Sequence, residues 1–127
     1  MDNIIPNGVA RVLIVEDNRD TADTTAMLLR MHGYDVAVAY DGKSAIQTAR
    51  GFDPDVVLLD LTLPDIDGFA VARGLRDAGL HRASLIAVSG YAPDDEWSDL
   101  DFTDHLIKPV GKDALVSALG RVHASRS

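Results

Sequence analysis

The sequence has no cysteine, relatively few basic residues and no long apolar run. Without cysteine it can form neither disulfides nor a thiolate metal site, which fits the reducing cytoplasm where we expect the protein. It has 20 Asp and Glu but 12 Lys and Arg, and the net charge of -8 disfavours nucleic acid and anionic membranes as partners. No run approaches the ~20 apolar residues of a membrane helix, and the N-terminus lacks the features of a signal peptide.

The remaining composition is typical of one globular domain. The chain has 127 residues, of which 46% are hydrophobic, enough to bury a core. Pro6 and Gly8 interrupt the first residues, so we predict a flexible leader over residues 1–10. We place the domain at residues 11–123 and a frayed tail at residues 124–127.

Short apolar runs alternate with segments of helical periodicity along the chain. Residues 56–59 are four consecutive apolar residues before Asp60, a pattern typical of a strand buried on both faces. Residues 12–15, 34–40, 85–88 and 106–107 are the other predicted strands, and a helix follows each strand, the fourth helix beginning near Pro93. Met27 and Met31 on the first helix are interpreted as core or boundary residues. Five strands alternating with five helices predict an α/β fold, a doubly wound parallel sheet with helices on both faces.

Four predicted strands end in polar residues. Glu16 and Asp17 follow the first strand, Asp60 the third, Ser89 the fourth and Lys108 the fifth. Parallel strands place these ends at one edge of the sheet, where ligands bind in such folds. Three carboxylates there would repel one another, and Mg²⁺ relieves such repulsion while keeping sites for water and a phosphate oxygen. A lysine and a serine hydroxyl suit the other phosphate oxygens.

These residue types together predict phosphoryl transfer to a carboxylate. Asp60 is the candidate nucleophile because it lies on the central strand, and its product would be an aspartyl-phosphate. Glu16 and Asp17 are better placed as metal ligands. Each residue alone is more often a helix cap, a turn residue or a solvated charge. The occurrence of all these types at one sheet edge favours the functional interpretation.

Four motifs carry a resemblance to a known family: LIVEDN at residues 13–18, VLLDLTLP at 57–64 with Asp67-Gly68, VSG at 88–90 and LIKP at 106–109. With them, nearly the whole chain, from about Arg11 to Val122, resembles the receiver domain of two-component response regulators. The resemblance implies a flavodoxin-like receiver fold with strand order 2-1-3-4-5 and five helices.

The resemblance implies a phosphorylation-dependent signalling switch rather than an enzyme with a separate substrate. Asp60 would accept a phosphoryl group from a sensor histidine kinase or a histidine phosphotransfer protein, and the domain would catalyse only its own phosphorylation and dephosphorylation. Ser89 and Lys108 would contact phosphoryl oxygens, and the bond before Pro109 would be cis. Mg²⁺ would be bound by three acidic side chains and one backbone carbonyl: Glu16, Asp17, Asp60 and Thr62.

The sequence departs from the family pattern near its output face. His105 stands where the family often has a Tyr or Phe that turns inward on phosphorylation, which makes His105 a switch candidate. The segment from Ser89 to Lys108 is about one helical turn shorter than is usual in the family. Residues 94–104 contain six acids and no Lys or Arg. A two-fold interface would bring these like charges together, so we predict a monomer that is recognised by a basic protein partner.

Two alternatives remain open on the residues alone. A haloacid-dehalogenase-like phosphatase also uses a strand-end Asp, Mg²⁺, a Ser or Thr and a Lys. That class needs a second Asp two residues after the nucleophile, where this chain has Thr62, and its nucleophile normally follows the first strand. The other alternative is a receiver-like interaction module that is not phosphorylated. The presence of every site residue disfavours that alternative.

Overall fold

The structure is a computed structural model that describes residues 11–63, 65, 67–90 and 102–126. These residues form five strands and four helices. In chain order they are β1 (Arg11–Val15), α1 (Arg19–Met31), β2 (Asp35–Ala39), α2 (Gly42–Phe52), β3 (Val56–Asp60), α3 (Gly68–Asp77), β4 (Ser84–Ser89), β5 (Phe102–Ile107) and α4 (Lys112–Arg126). The helix predicted near Pro93 lies outside the described residues.

The five strands form one parallel sheet in the order β2-β1-β3-β4-β5. This order confirms the predicted doubly wound α/β fold. Every residue of β3 is buried, which explains why its sequence is a continuous apolar run. None of the described helices is long and apolar enough to cross a membrane.

Alternate residues of each central strand face opposite layers of helices. Val12 and Ile14 of β1 pack with α1 and α4, whereas Leu13 and Val15 pack with α2 and α3. The period of two along a strand therefore divides the core into two clusters on either side of the sheet. Helix α4 contributes Leu119 to the first cluster, and α3 contributes Leu75 to the second.

The first three helices begin at the carboxyl edge of the sheet, and each has a side-chain cap. Asn18, Asp41 and Asp67 accept hydrogen bonds from the backbone amide three residues further on, at 3.0, 2.8 and 2.8 Å. Such bonds satisfy amides that the helix leaves without partners. Gly33 and Gly79 follow α1 and α3 with φ of 94° and 90°, a conformation that glycine adopts readily.

Several element boundaries differ from the sequence-based expectations. Asp41 and Gly42, a residue pair typical of turns, are the cap and the first residue of α2. Strand β5 begins at Phe102, well before the predicted residues 106–107. Helix α4 continues through residues 124–126, where the sequence predicts a tail. Ala, Ser and Arg can all extend a helix, so composition does not mark its end.

Met27 and Met31 are exposed by 62% and 78%. Of the two positions predicted for them, core or boundary, the core is therefore excluded. The buried face of α1 consists of Ala22, Ala26 and Leu29, and the two methionines lie beside that face. They border a shallow groove between α1 and β2.

Candidate functional site

Three acidic side chains meet at the carboxyl edge of the sheet. Glu16 follows β1 and Asp60 ends β3, and these strands are neighbours in register, with Val15 beside Leu59. Carboxylate oxygens of Glu16, Asp17 and Asp60 all lie within 4.8 Å of one another. Glu16 and Asp60 are buried and Asp17 is exposed. The fold thus brings together the three acids that the sequence placed at this edge.

Lys108 supplies a positive charge between the two buried acids. Its Nζ lies 2.9 Å from Asp60 Oδ2 and 3.4 Å from Glu16 Oε1. The backbone amide of Lys108 donates to the carbonyl of Ser89 at 2.7 Å, which ties the end of β5 to the end of β4. The Lys108–Pro109 peptide bond is cis, the isomer that the resemblance implied.

Burial and the neighbouring charges both shift pKa values in this cluster. Burial raises the pKa of Glu16, helped by the charge of Asp60 and a hydrogen bond with it, although the Asn18 amide and Lys108 oppose the shift. Burial works against the charged form of Lys108, but Asp60 and then Glu16 outweigh it and raise the Lys108 pKa. Three carboxylates with one ammonium leave two negative charges, a surplus that a divalent cation could neutralise.

The loop after β3 is folded closely against Asp60. Asp60 Oδ1 accepts the backbone amide of Thr62 at 2.9 Å, and Leu61 donates its amide to the carbonyl of Val88 at 3.0 Å. A Cβ on Gly68 would lie 2.5 Å from Leu61 Cα and 2.8 Å from the Asp60 carbonyl oxygen. Only glycine allows this approach without a backbone shift. Thr62 is therefore held at the rim of the acidic cluster.

Ser89 and His105 have different positions relative to this cluster. Asp60 pairs with Val88 across the sheet, so the buried Ser89 lies one residue further along the neighbouring strand. His105 pairs with Ala87 on the edge strand β5 and is exposed. Ser89 therefore belongs to the same sheet edge as Asp60. His105 lies two residues back along the sheet, at the level of Ala87.

Sequence reasoning missed Asp65 altogether. Its two carboxylate oxygens accept the backbone amides of Gly42 and Lys43, at 2.9 and 3.0 Å. These amides belong to the start of α2, 23 and 22 residues earlier in the chain. An Asp beside a proline is an ordinary turn signal, so the local sequence did not indicate this long-range contact.

A cleft of about 900 Å³ opens from the acids towards α1 and α4. Its inner end contains Asp60 and Lys108. Its outer walls carry small hydroxyl side chains from α1 and a lysine from α4: Thr21, Thr24, Thr25 and Lys112. Because Asp60 is only 2% exposed, a group that reacts with it must enter this cleft.

The profile of the response regulator receiver domain family matches residues 12–120. The transcriptional regulatory protein TrcR of Mycobacterium tuberculosis is 33% identical over 111 residues, which are 86% of this chain and 43% of that protein. The cell cycle transcriptional regulator CtrA of Caulobacter vibrioides is 32% identical over 116 residues, 90% of this chain and 49% of that protein. The chain thus spans about half the length of these curated relatives.

Solved structures agree with this match. A CheY-like receiver domain from Methylobacillus flagellatus superposes with a TM-score of 0.82 at 31% identity, covering 90% of this chain and 98% of that one. The receiver domain of a Pseudomonas aeruginosa sensor histidine kinase was solved with a magnesium ion in its active-site cleft. It superposes with a TM-score of 0.80 at 28% identity, covering 91% of this chain and 98% of that one. The chain belongs to the response regulator receiver domain family, a family of phosphorylation-dependent signalling domains.

Proposed function

We propose that this domain is switched by phosphorylation of Asp60, with the phosphoryl group taken from a phosphohistidine of a sensor histidine kinase or a histidine phosphotransfer protein. The observation that carries the proposal is the position of the Asp60 carboxylate. It is buried, with Oδ1 bonded to the Thr62 amide and Oδ2 2.9 Å from Lys108 Nζ. A carboxylate held in this way needs little reorientation before it reacts.

The transfer exchanges one bond for another. An Asp60 carboxylate oxygen forms a bond with phosphorus while the P–N bond of the donor breaks, and the electron pair of that bond goes to the imidazole nitrogen. Lys108 is already in place to bind the charged phosphoryl oxygens, and the Ser89 hydroxyl donates a hydrogen bond to one of them. The same groups would hold the phosphoryl oxygens during hydrolysis, so the domain catalyses only its own phosphorylation and dephosphorylation.

Glu16, Asp17 and Asp60, with the backbone carbonyl of Thr62, are the proposed Mg²⁺ ligands. The fit rests on the donors, because Mg²⁺ prefers oxygen ligands, and on the surplus of two negative charges around Lys108. When bound, the ion supplies charge neutralisation to the phosphoryl group. The exposed position of Asp17 leaves the mouth of the site open to a donor.

Phosphorylation changes what Lys108 contacts. Once Asp60 is an acyl phosphate, its carboxylate charge is gone and a phosphoryl group with a charge of roughly -2 stands beside it. Lys108 then exchanges the Asp60 oxygen for a phosphoryl oxygen. Because its backbone is bonded to Ser89 and it lies between β5 and α4, this exchange displaces the segment that joins those elements. The signal would leave through a protein that contacts this segment.

We propose that the phosphodonor protein docks over the cleft between α1 and α4. The cleft leads to Asp60, and its outer walls offer the hydroxyls of Thr21, Thr24 and Thr25 and the ammonium of Lys112. These groups can bond to a partner helix without excluding a charged phosphohistidine. Substituting Thr24 with a bulky residue should therefore slow transfer from the donor protein more than transfer from a small phosphodonor.

We further propose that the domain remains a monomer in both states. Asp104 on β5 is paired within the chain, because Arg121 Nε donates to its Oδ2 at 2.7 Å. Arg121 is therefore already paired within the chain. In a two-fold dimer it would be less able to neutralise the negative charge of the acidic output face of the second copy. The other acids of this face lie at residues 94–101, outside the described residues. Sedimentation with and without a phosphate mimic checks the proposal, which a mimic-dependent dimer would contradict.

His105 remains the proposed switch residue on the output side. It is exposed on β5, and its backbone amide donates to Asp104 Oδ1 at 2.8 Å. A histidine can change charge near neutral pH, unlike the Tyr or Phe common at this position in the family. NMR titration of its ring in both phosphorylation states checks the role, and an unchanged ring environment would remove His105 from the mechanism.

Intact-mass measurement tests the central proposal. The native protein is incubated with a small phosphodonor, with and without Mg²⁺, and we expect one labile phosphoryl group only when Mg²⁺ is present. Asp60→Asn should abolish it, whereas Asp77→Asn, at the exposed end of α3, should not. Phosphorylation that persists in Asp60→Asn would contradict the proposal. Steady hydrolysis of many phosphomonoesters would instead support the phosphatase alternative.

A further inference from the structure

The connection between β2 and α2, residues 39–43, is hydrogen-bonded both to Glu16 and to the loop that follows Asp60. From one side, the backbone amide of Glu16 donates to the carbonyl of Ala39 at 3.0 Å. From the other side, the Asp65 carboxylate accepts the amides of Gly42 and Lys43. Glu16 belongs to the end of β1, and Asp65 to the loop that also carries Thr62. One short connection therefore holds two separate parts of the proposed metal site.

The Asp65 contact is strong for an exposed residue. Each carboxylate oxygen accepts one amide, at 2.9 and 3.0 Å. Hydrogen bonds to an ionised group are stronger than neutral ones, and the start of a helix favours negative charge. Asp65 does not duplicate the cap of α2, because Asp41 bonds to a different amide, that of Ser44. The two aspartates together satisfy three successive amides at the start of α2.

The other attachments of the loop lead away from α2. The Leu61 amide is bonded to Val88 on β4, and the Gly68 amide to the carbonyl of Leu61. Asp67 caps its own helix, α3. The Thr62 amide is bonded to Asp60 Oδ1, which holds the start of the loop to β3. Among the described hydrogen bonds of this loop, those of Asp65 are the ones that join it to the β2–α2 connection, and Glu16 is bonded to the same connection through Ala39.

We propose that Asp65 is a positioning residue for the Mg²⁺ site: by bonding to Gly42 and Lys43 it sets the position of the Thr62 loop relative to Glu16. This inference rests on the proposed function, since it concerns the metal that phosphorylation of Asp60 requires. Asp65 touches neither metal nor phosphoryl group and acts through the β2–α2 connection. The removal of its two bonds frees the loop to move away from Glu16, which separates ligands that must bind one ion.

NMR titration with Mg²⁺ alone, on the native chain and three variants, tests the proposal without any need for activity. Asp65→Ala removes both bonds, and Asp65→Asn keeps one acceptor oxygen. Asp67→Ala is the matched control, because it removes one negative charge and one amide bond from the same loop without touching α2. The resonances of the Glu16, Gly42 and Thr62 amides report the site, the connection and the loop.

Asp65→Ala should weaken Mg²⁺ binding by about tenfold, the lower end of the effect of residues that orient metal ligands. Asp65→Asn should give an intermediate loss, and Asp67→Ala should change the Kd by less than about twofold, as expected for a small change in long-range charge. A Kd for Asp65→Ala that matches the Asp67→Ala value would overturn the proposal.

Two outcomes separate this inference from the proposed function. If the native chain neither binds Mg²⁺ nor is phosphorylated, the proposed function fails, and this inference with it. If the native chain does both while Asp65→Ala and Asp67→Ala bind Mg²⁺ equally, only the role of Asp65 is wrong. Should Asp65→Ala fail to fold, Asp65→Asn decides alone: a Kd equal to that of Asp67→Ala overturns the role, and a clearly larger one supports it.

Discussion

Acidic side chains at the carboxyl edge of the sheet form two groups with opposite surroundings. Asp41, Asp65 and Asp67 each accept backbone amides at the start of a helix. Glu16 and Asp60 are buried within 4.8 Å of each other and share one lysine. Each carboxylate of the first group accepts backbone amides at 2.8 to 3.0 Å, whereas the second group has more negative charge than Lys108 offsets.

The surroundings of a carboxylate show whether it stabilises the fold or takes part in the chemistry of the site. A carboxylate that meets helix amides stabilises the fold by itself and needs nothing further. A buried carboxylate that meets another one destabilises the fold until a cation arrives. The second group can therefore bind and react, whereas the first group stabilises the starts of helices, and Asp65 also joins the Thr62 loop to α2. Four predictions test this contrast, from the largest expected effect to the smallest.

Replacing Lys108 by Met should have the largest effect. The substitution keeps much of the length of the side chain but removes the charge that Asp60 and Glu16 share. We expect phosphorylation of Asp60 to slow by about 100-fold, the typical loss when one group that stabilises transferred charge is removed. Initial rates with a small phosphodonor and Mg²⁺ measure this effect. Lys43→Met, a change at an exposed lysine, is the control, and a Lys108→Met rate within twofold of it would contradict the expectation.

Mg²⁺ should stabilise the native chain against unfolding. At a free concentration of 100 times its Kd, binding linkage predicts a gain of about 2.7 kcal/mol. Asp60→Asn should lose most of this gain, because it replaces a charged ligand by a neutral one. Urea unfolding with and without Mg²⁺, at matched ionic strength, measures the difference. An equal response in native protein and Asp60→Asn would place the metal elsewhere.

Capping carboxylates should respond differently to amide and to alanine substitution. Asp41→Ala should lower the free energy of unfolding by about 1 kcal/mol, whereas Asp41→Asn should change it little, because Asn caps a helix as well as Asp does. At the site, the same Asp-to-Asn change in Asp60 removes repulsion and should raise stability without metal. Urea unfolding in EDTA gives all three values. Equal losses in Asp41→Ala and Asp41→Asn would show that charge, not the hydrogen bond, is what matters at the cap.

The smallest effect concerns pH. The pKa of Glu16 is raised above its ordinary 4.5, chiefly by burial, so the fold favours its neutral form. The stabilising contribution of that form is complete below about pH 4.5 and is lost as pH rises through the raised pKa. In metal-free protein, the stability of Glu16→Gln relative to the native chain should therefore increase as pH rises from 4.5 to 7. We expect this increase to be smaller than the ~1 kcal/mol that a helix cap contributes. Unfolding curves in EDTA across this range measure the gain, and a constant difference would show that Glu16 is not desolvated.

The acidic cluster was predictable because the sequence shows both where the strands end and that the strands are parallel. Apolar runs located β1 and β3, and the alternation of strands and helices required a parallel sheet, so Glu16, Asp17 and Asp60 had to share an edge. The same reasoning brought Lys108 from β5 to that edge. Contacts between loops carry no such periodicity. For this reason the sequence did not reveal that Asp65 reaches Gly42.

The depth of individual helix residues was less predictable than the strand ends. Ala22, Ala26 and Leu29 recur at the spacing of a helical stripe and form the buried face of α1, whereas Met27 and Met31, interpreted as core or boundary residues, are exposed beside it. A helix that lies close to a sheet needs small side chains at its contact, and the apolar character of a methionine does not show how far it lies from that contact. The end of α4 was missed for a similar reason, because residues 124–126 are compatible with either a helix or a tail.

The sequence by itself determined the fold class, the order of elements and the residue types at the strand ends, because these follow from local runs and from the rule that parallel strands end together. Tertiary structure decided the distances that turn those residues into a site. It placed Lys108 between two buried acids, closed the Thr62 loop against Gly68 and tied Asp65 to α2. Such contacts join residues far apart in the chain. Only the packed sheet and helices bring them within bonding distance.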